Sequence, residues 1–165
     1  MTTQYELPHQ VELLPNHIGA IGEALFEATY GPPAPLPSMV QEFTDEFGPE
    51  WIDIDQLNIQ SLSTDEEFYT VKIDGDEMTW QSDGEISAWY RPAFEERQKD
   101  ANHAARSWNY LFPVEIKTGK RARLENDQRE VMSHVAKQDG YQPILIRLSI
   151  DDLPDAFTIE NVEFI

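Results

Sequence analysis

The sequence predicts an α/β fold with a mixed central sheet flanked by helices, and three observations carry that prediction. The first is a strand, helix, strand unit. Phe112-Pro-Val-Glu-Ile-Lys-Thr-Gly119 alternates apolar and charged side chains, the period of a half-buried strand. From Leu124 to Gln138 the apolar residues Leu124, Val131, Met132 and Val135 fall at i, i+7, i+8 and i+11, the stripe of an amphipathic helix. Gly140 is the expected helix stop, and Pro143-Ile-Leu-Ile-Arg-Leu-Ser149 reads as the next strand. The second observation is an early helix with Ile18, Ile21, Leu25 and Ala28 on one stripe, Asn16 as N-cap and Gly31-Pro32 as terminator. The third is a run of short alternating segments between them.

Taken in order, the Pro-rich run Gly31-Pro-Pro-Ala-Pro-Leu-Pro37 is expected to be a stiff connector. A short helix is expected between Ser38 and Trp51. Strands near Leu57–Leu62, Phe68–Ile73 and Met78–Gln81 then form a meander that leads to Asp83, with Asp74-Gly75 as a hairpin turn. Asp83-Gly84 opens another strand, along which Asp83, Glu85 and Ser87 share one face. The segment 91–110 is charged and poor in aliphatics and reads as an insertion. Phe157-Thr-Ile-Glu-Asn-Val-Glu-Phe164 alternates as an edge strand. At 165 residues, with no repeat and no change of composition, the chain is expected to be one domain, 1–165.

Glu115-Ile116-Lys117 is where the pattern meets chemistry. On a strand, Phe112, Val114 and Ile116 turn into a core while Glu115 and Lys117 share the opposite face. A carboxylate and an amine two residues apart suit metal-assisted phosphodiester hydrolysis: Glu115 and the Ile116 carbonyl can hold a hard cation, and Lys117 can orient the attacking water. The competing reading is a surface ion pair on a strand edge. Gln128 lies on the inward stripe of the following helix, where a buried amide without partners costs about 1–3 kcal/mol. A site above the strand would supply those partners.

This order of Glu-x-Lys-x-Gly, then Gln128 near the start of a helix, then Gly140 before a strand, resembles the PD-(D/E)XK nuclease superfamily. The resemblance implies a restriction-endonuclease-like α-β-β-β-α-β core and an acidic residue at the second core strand. It also implies divalent-metal phosphodiesterase chemistry with Mg²⁺ or Mn²⁺ on a nucleic-acid substrate, DNA first. Asp83 is the leading candidate for that acidic residue, with Glu85 as substitute and Asp74 or Asp76 behind. Asp83 and Glu115 would be the metal ligands with the Ile116 carbonyl, Lys117 would manage the water and Gln128 would steady the site. Glu23, on the early helix, matches the glutamate that helps to hold metal or water. A junction resolvase is a subclass of this reading and would require a homodimer. The alternative is a binding or structural protein that keeps the fold without catalysis.

Charge distinguishes the chain as a whole. Twelve basic against 31 acidic residues give −19, and only five residues are lysine. Acidic residues are spread throughout, which fits a protein working in multimolar salt, in a halophile or its virus, where such surfaces stay hydrated and screening is short-ranged. From Pro113 to Ser149 seven basic residues outnumber five acidic ones, a local +2, so the rest carries −21. Lys120, Arg121, Arg123 and Arg129 follow Lys117 and are the candidate phosphate contacts.

Other chemistries find no residues. Without cysteine there is no thiol nucleophile, disulfide framework or cysteine-ligated cluster. The four histidines show no metal spacing, and no glycine-rich phosphate loop or nucleophile elbow is present. The N-terminus lacks a basic-then-apolar leader and no apolar run approaches the roughly 20 residues that span a bilayer, so a cytoplasmic location is expected. If the acidic surface is a high-salt adaptation, the melting temperature rises as KCl goes from dilute to molar. Thermal scans across that range check this, and a flat or falling curve removes the adaptation.

Overall fold

In the computed structural model, residues 15–27, 35–63, 67–92, 107–153 and 157–165 are described. Among these residues are three α-helices and seven strands: α1 (Pro15–Glu27), α2 (Pro35–Phe47), β1 (Asn58–Ser63), β2 (Phe68–Ile73), β3 (Asp76–Gln81), β4 (Gly84–Tyr90), β5 (Trp108–Thr118), α3 (Asn126–Val135), β6 (Ile144–Ser149) and β7 (Thr158–Phe164). Five strands make the central sheet in the order β1-β4-β5-β6-β7. The pair β5·β6 is parallel and the other three are antiparallel, so α3 is the crossover that parallel neighbours require. The α/β class and the restriction-endonuclease-like layout expected from the sequence are both present.

Alternation along the strands divides the core in two. Phe112, Val114 and Ile116 of β5 join Ile86, Ala88 and Tyr90 of β4 and Ile144, Ile146 and Leu148 of β6 on one face, capped by Val40 and Phe43 of α2. On the other face Val131, Met132 and Val135 of α3 pack with Leu145, Val71, Ile73 and Trp80. Ile144, Leu145 and Ile146 are all buried, as an inner strand covered on both faces demands.

The expected meander is corrected by this arrangement. β1 pairs directly with β4, while β2 and β3 form a separate two-stranded hairpin. Its turn is the expected one, with Asp74 at φ 53° and Gly75 at φ 95°, the left-handed pair of a type I′ turn. Period-2 alternation marks a strand but does not name its partner. Here Val71, Ile73 and Trp80 of the hairpin pack with Val131, Met132 and Val135 of α3 and with Leu145.

Three boundaries also differ. α1 starts at Pro15, where a missing N–H costs nothing, and this puts the expected cap Asn16 inside the first turn. α2 takes in Pro35-Leu36-Pro37, so the proline run ends inside a helix and not in a connector. α3 stops at Val135, followed by a turn in which Gln138 N–H donates to the Val135 carbonyl; Gly140, at φ 83°, shapes the step into β6. Of the expected insertion, 93–106 lie outside the described residues, and Trp108, Asn109 and Tyr110 are already β5.

α1 is seated on the end of β5. A Cβ built on Gly22 would lie 1.7 Å from Thr118 Oγ1, whereas one on Gly19 meets nothing within 4 Å. Glycine at 22 therefore sets how closely the helix approaches the strand that carries Glu115 and Lys117. Gly22→Ala is expected to destabilise the fold by about 1–3 kcal/mol through overpacking, and Gly19→Ala to be neutral or stabilising by up to about 1 kcal/mol. Urea denaturation of both variants measures the difference.

Candidate active site

Asp83 is fastened to β5 at two points. Its backbone N–H donates to the Val114 carbonyl (2.8 Å), and its Oδ2 accepts from the Ile116 N–H (2.6 Å). Asp83 precedes Gly84, the first ladder residue of β4, which lies opposite Val114, and it lines the same cleft as Glu115. An extended residue directs its N–H and C=O to the same edge, so the Ile116 carbonyl also faces the Asp83 side, beyond the first ladder residue of β4. The Asp83 and Glu115 carboxylates line one cleft at the end of β4, and oxygen donors of this kind suit a hard cation keeping several waters. Among the described residues no three His, Asp or Glu side chains are grouped as metal ligands.

Glu115 is 3% exposed, and a buried charge has to be paired and hydrogen-bonded. Trp80 Nε1 donates to Oε2 at 2.6 Å, Gln128 Nε2 donates to Oε1 at 3.1 Å, and Lys117 Nζ lies 2.7 Å from Oε1. Gln128 can present its amide nitrogen because its Oε1 accepts from the Glu125 N–H (3.2 Å) at the start of α3. The cap of the helix therefore sets which end of the amide meets Glu115. A cleft of about 570 Å³ opens over this group, lined by Trp80, Gln81, Asp83, Glu115, Glu125 and Gln128 among others.

Burial first, and then the Glu115 carboxylate, push Asp83 up to about 7; the Ile116 hydrogen bond opposes this, Glu23 adds to it and Lys117 opposes it. Glu23 is exposed on α1, yet its charge is felt at Asp83, which sets it at the margin of the group. Glu85, the substitute for Asp83, lies opposite Pro113, one step farther along the face, and accepts from the Tyr69 hydroxyl. Asp74 is at the hairpin tip and Asp76 begins β3, both away from Glu115 in the strand order.

The basic strip splits. Lys120 pairs with Asp151 at 2.8 Å, and Arg129 makes a two-point contact with Glu163 on β7 (2.8 and 3.3 Å) that holds Glu163 below the usual carboxylate range. Arg121 and Arg123 are exposed in the loop between β5 and α3, which Arg147 anchors through the Ala122 carbonyl at 3.1 Å. Trp80 escaped the sequence reading. Its signal was a lone tryptophan three residues before Asp83, since a buried indole N–H must find an acceptor.

A family model for the PD-(D/E)XK nuclease superfamily domain matches residues 16–164. The chain belongs to that superfamily, a group of nucleases that typically use divalent metals. No curated protein and no solved structure matches it. Among the described residues no helix is long and apolar enough to cross a membrane.

The Asp83 environment has a pH signature in metal-free protein. The folded chain keeps this proton up to about pH 7, while an unperturbed carboxyl releases it near 3.8. Across that window the folded state binds more protons, so the Asp83 contribution to stability falls as pH rises. Asp83→Asn keeps an acceptor for the Ile116 N–H and removes the titration. Its stability is expected to rise relative to wild type from about pH 4 to 7, measured by denaturation at a series of pH values. Parallel curves would count against the shift.

Proposed function

We propose that this chain is a nuclease of one domain that hydrolyses nucleic-acid phosphodiesters, DNA first, with Asp83, Glu115 and Lys117 as the catalytic group. The observation that carries the reading is the double attachment of Asp83 to β5, which brings its carboxylate alongside Glu115 with Lys117 next to it. Asp83, Glu115 and the Ile116 carbonyl would hold Mg²⁺ or Mn²⁺, which when bound supplies the positive charge that phosphoryl transfer requires.

The remaining roles belong to side chains alone. Lys117 donates to the attacking water and orients it toward phosphorus, held in place by its 2.7 Å contact with Glu115. Trp80 and Gln128 fix the two Glu115 oxygens so that the carboxylate does not turn away from the cleft. Glu23 adds negative charge at the margin. Arg121 and Arg123 contact the phosphates flanking the scissile bond, and Lys120 and Arg129 join them only by exchanging Asp151 and Glu163 for phosphate. The net charge of −19 suits a high-salt cytoplasm, where these contacts act at short range.

One observation favours the second reading, a nuclease-fold binding protein without catalysis. Both oxygens of Glu115 are already engaged by protein donors. Cleavage assays on single- and double-stranded DNA and on RNA, with Mg²⁺ and with Mn²⁺ at high salt, separate the two. Under the nuclease reading Glu115→Ala and Lys117→Ala each lower the rate by about 10²–10⁴-fold with unchanged circular dichroism. Asp83→Asn weakens metal binding by calorimetry, and Asp74→Asn does not. Wild-type protein that cleaves none of these substrates with either metal establishes the binding reading.

A further inference from the structure

A second cleft, of about 530 Å³, opens beside the far end of α3 and is lined by Glu67, Phe68, Tyr69, Glu85 and Tyr141. The proposed catalysis uses none of them. Glu85 is 7% exposed, and the Tyr69 hydroxyl takes one of the roughly four lone-pair positions that a carboxylate offers. Burial and then the neighbouring Glu67 charge raise Glu85 above its ordinary range, and among the described residues no lysine or arginine pairs with either carboxyl.

Three rings line the cleft with these acids. Tyr69 and Tyr141 meet edge to face, 6.1 Å apart at 79°, and Phe68 is 66% exposed. Aromatic faces carry negative potential and attract cations, and so do carboxylates, so both kinds of wall select the same sign of charge. A nucleotide would bring phosphate against Glu67 and Glu85 on a chain that is already strongly acidic. A bare metal ion needs oxygens on most sides and would gain little from the rings of Phe68, Tyr69 and Tyr141. An organic cation satisfies both walls, and a planar guanidinium does so best, because it can bond a carboxylate through two N–H groups while stacking on a ring.

We propose that this cleft receives an arginine side chain of a protein partner, with Glu85 and Glu67 pairing its guanidinium and Phe68, Tyr69 and Tyr141 enclosing it. The site is independent of nuclease activity and stands whether or not the chain cleaves nucleic acid.

The test uses acetyl-arginine amide as probe and acetyl-citrulline amide as its uncharged counterpart. Each is titrated into isotope-labelled full-length protein at low ionic strength and mildly alkaline pH, with binding read by NMR. Saturable shifts confined to Phe68, Tyr69, Glu85 and Tyr141 are expected for the arginine probe, with citrulline at least about tenfold weaker. Glu85→Gln keeps an acceptor for the Tyr69 hydroxyl but removes the charge, and it lowers arginine affinity by about tenfold. If that variant fails to fold, Phe68→Ala, at an exposed ring, decides instead by weakening the arginine probe. Equal binding of the two probes, no saturation by arginine, or unchanged affinity in a folded variant overturns the proposal. Tighter binding of a nucleoside monophosphate than of the arginine probe also overturns it and assigns the cleft to nucleic acid.

Discussion

A carboxylate buried in the middle of the central strand has to be answered by donors, and the answer organises one whole side of this protein. Glu115 is supplied from three elements: Lys117 from its own strand, Gln128 from α3 and Trp80 from the hairpin. Losing any one of them leaves a buried charge short of a partner, an expensive state in a low-dielectric site. The hairpin is thus more than a cover for α3. Its apolar residues close the second core while its last tryptophan reaches the charged group. Tyr69 stacks on Trp80, 5.4 Å apart, and continues that arrangement to Glu85.

The electrostatics of the two faces follow different rules. On the surface, Lys120 with Asp151 and Arg129 with Glu163 are exposed pairs, a type that contributes little to stability at any salt concentration. At the site, Asp83 and Glu115 line one cleft, with Lys117 paired to Glu115. Burial first, and then the Glu115 charge, favour a proton on Asp83 until a cation arrives. The Ile116 N–H and Lys117 oppose that preference without cancelling it.

Much of this was legible because the relevant periods are local. Strand alternation put Glu115 and Lys117 on one face and Phe112, Val114 and Ile116 on the other, and the helical stripe set Gln128 toward the strand. Asp74-Gly75 demanded a left-handed turn and took one. The aspartate beside Glu115 was found through resemblance to the superfamily, since nothing in the local pattern separates Asp83 from Glu85, which share a face.

The sequence by itself determined the alternation, the strand-helix-strand unit, the hairpin turn and the charges, since each depends on residues a few positions apart. Tertiary structure decided the rest. Trp80 and Glu115 are 35 positions apart, Arg129 and Glu163 are 34, and no periodicity spans such distances. That β1 pairs with β4 while β2 pairs with β3 is likewise tertiary, since alternation names no partner. The same holds for Lys120 and Arg129, whose positions in the chain suggested a phosphate track until folding brought Asp151 and Glu163 within reach. A side chain's chemistry is fixed by its type, but its partner is fixed by the competition among all surfaces that the fold brings together.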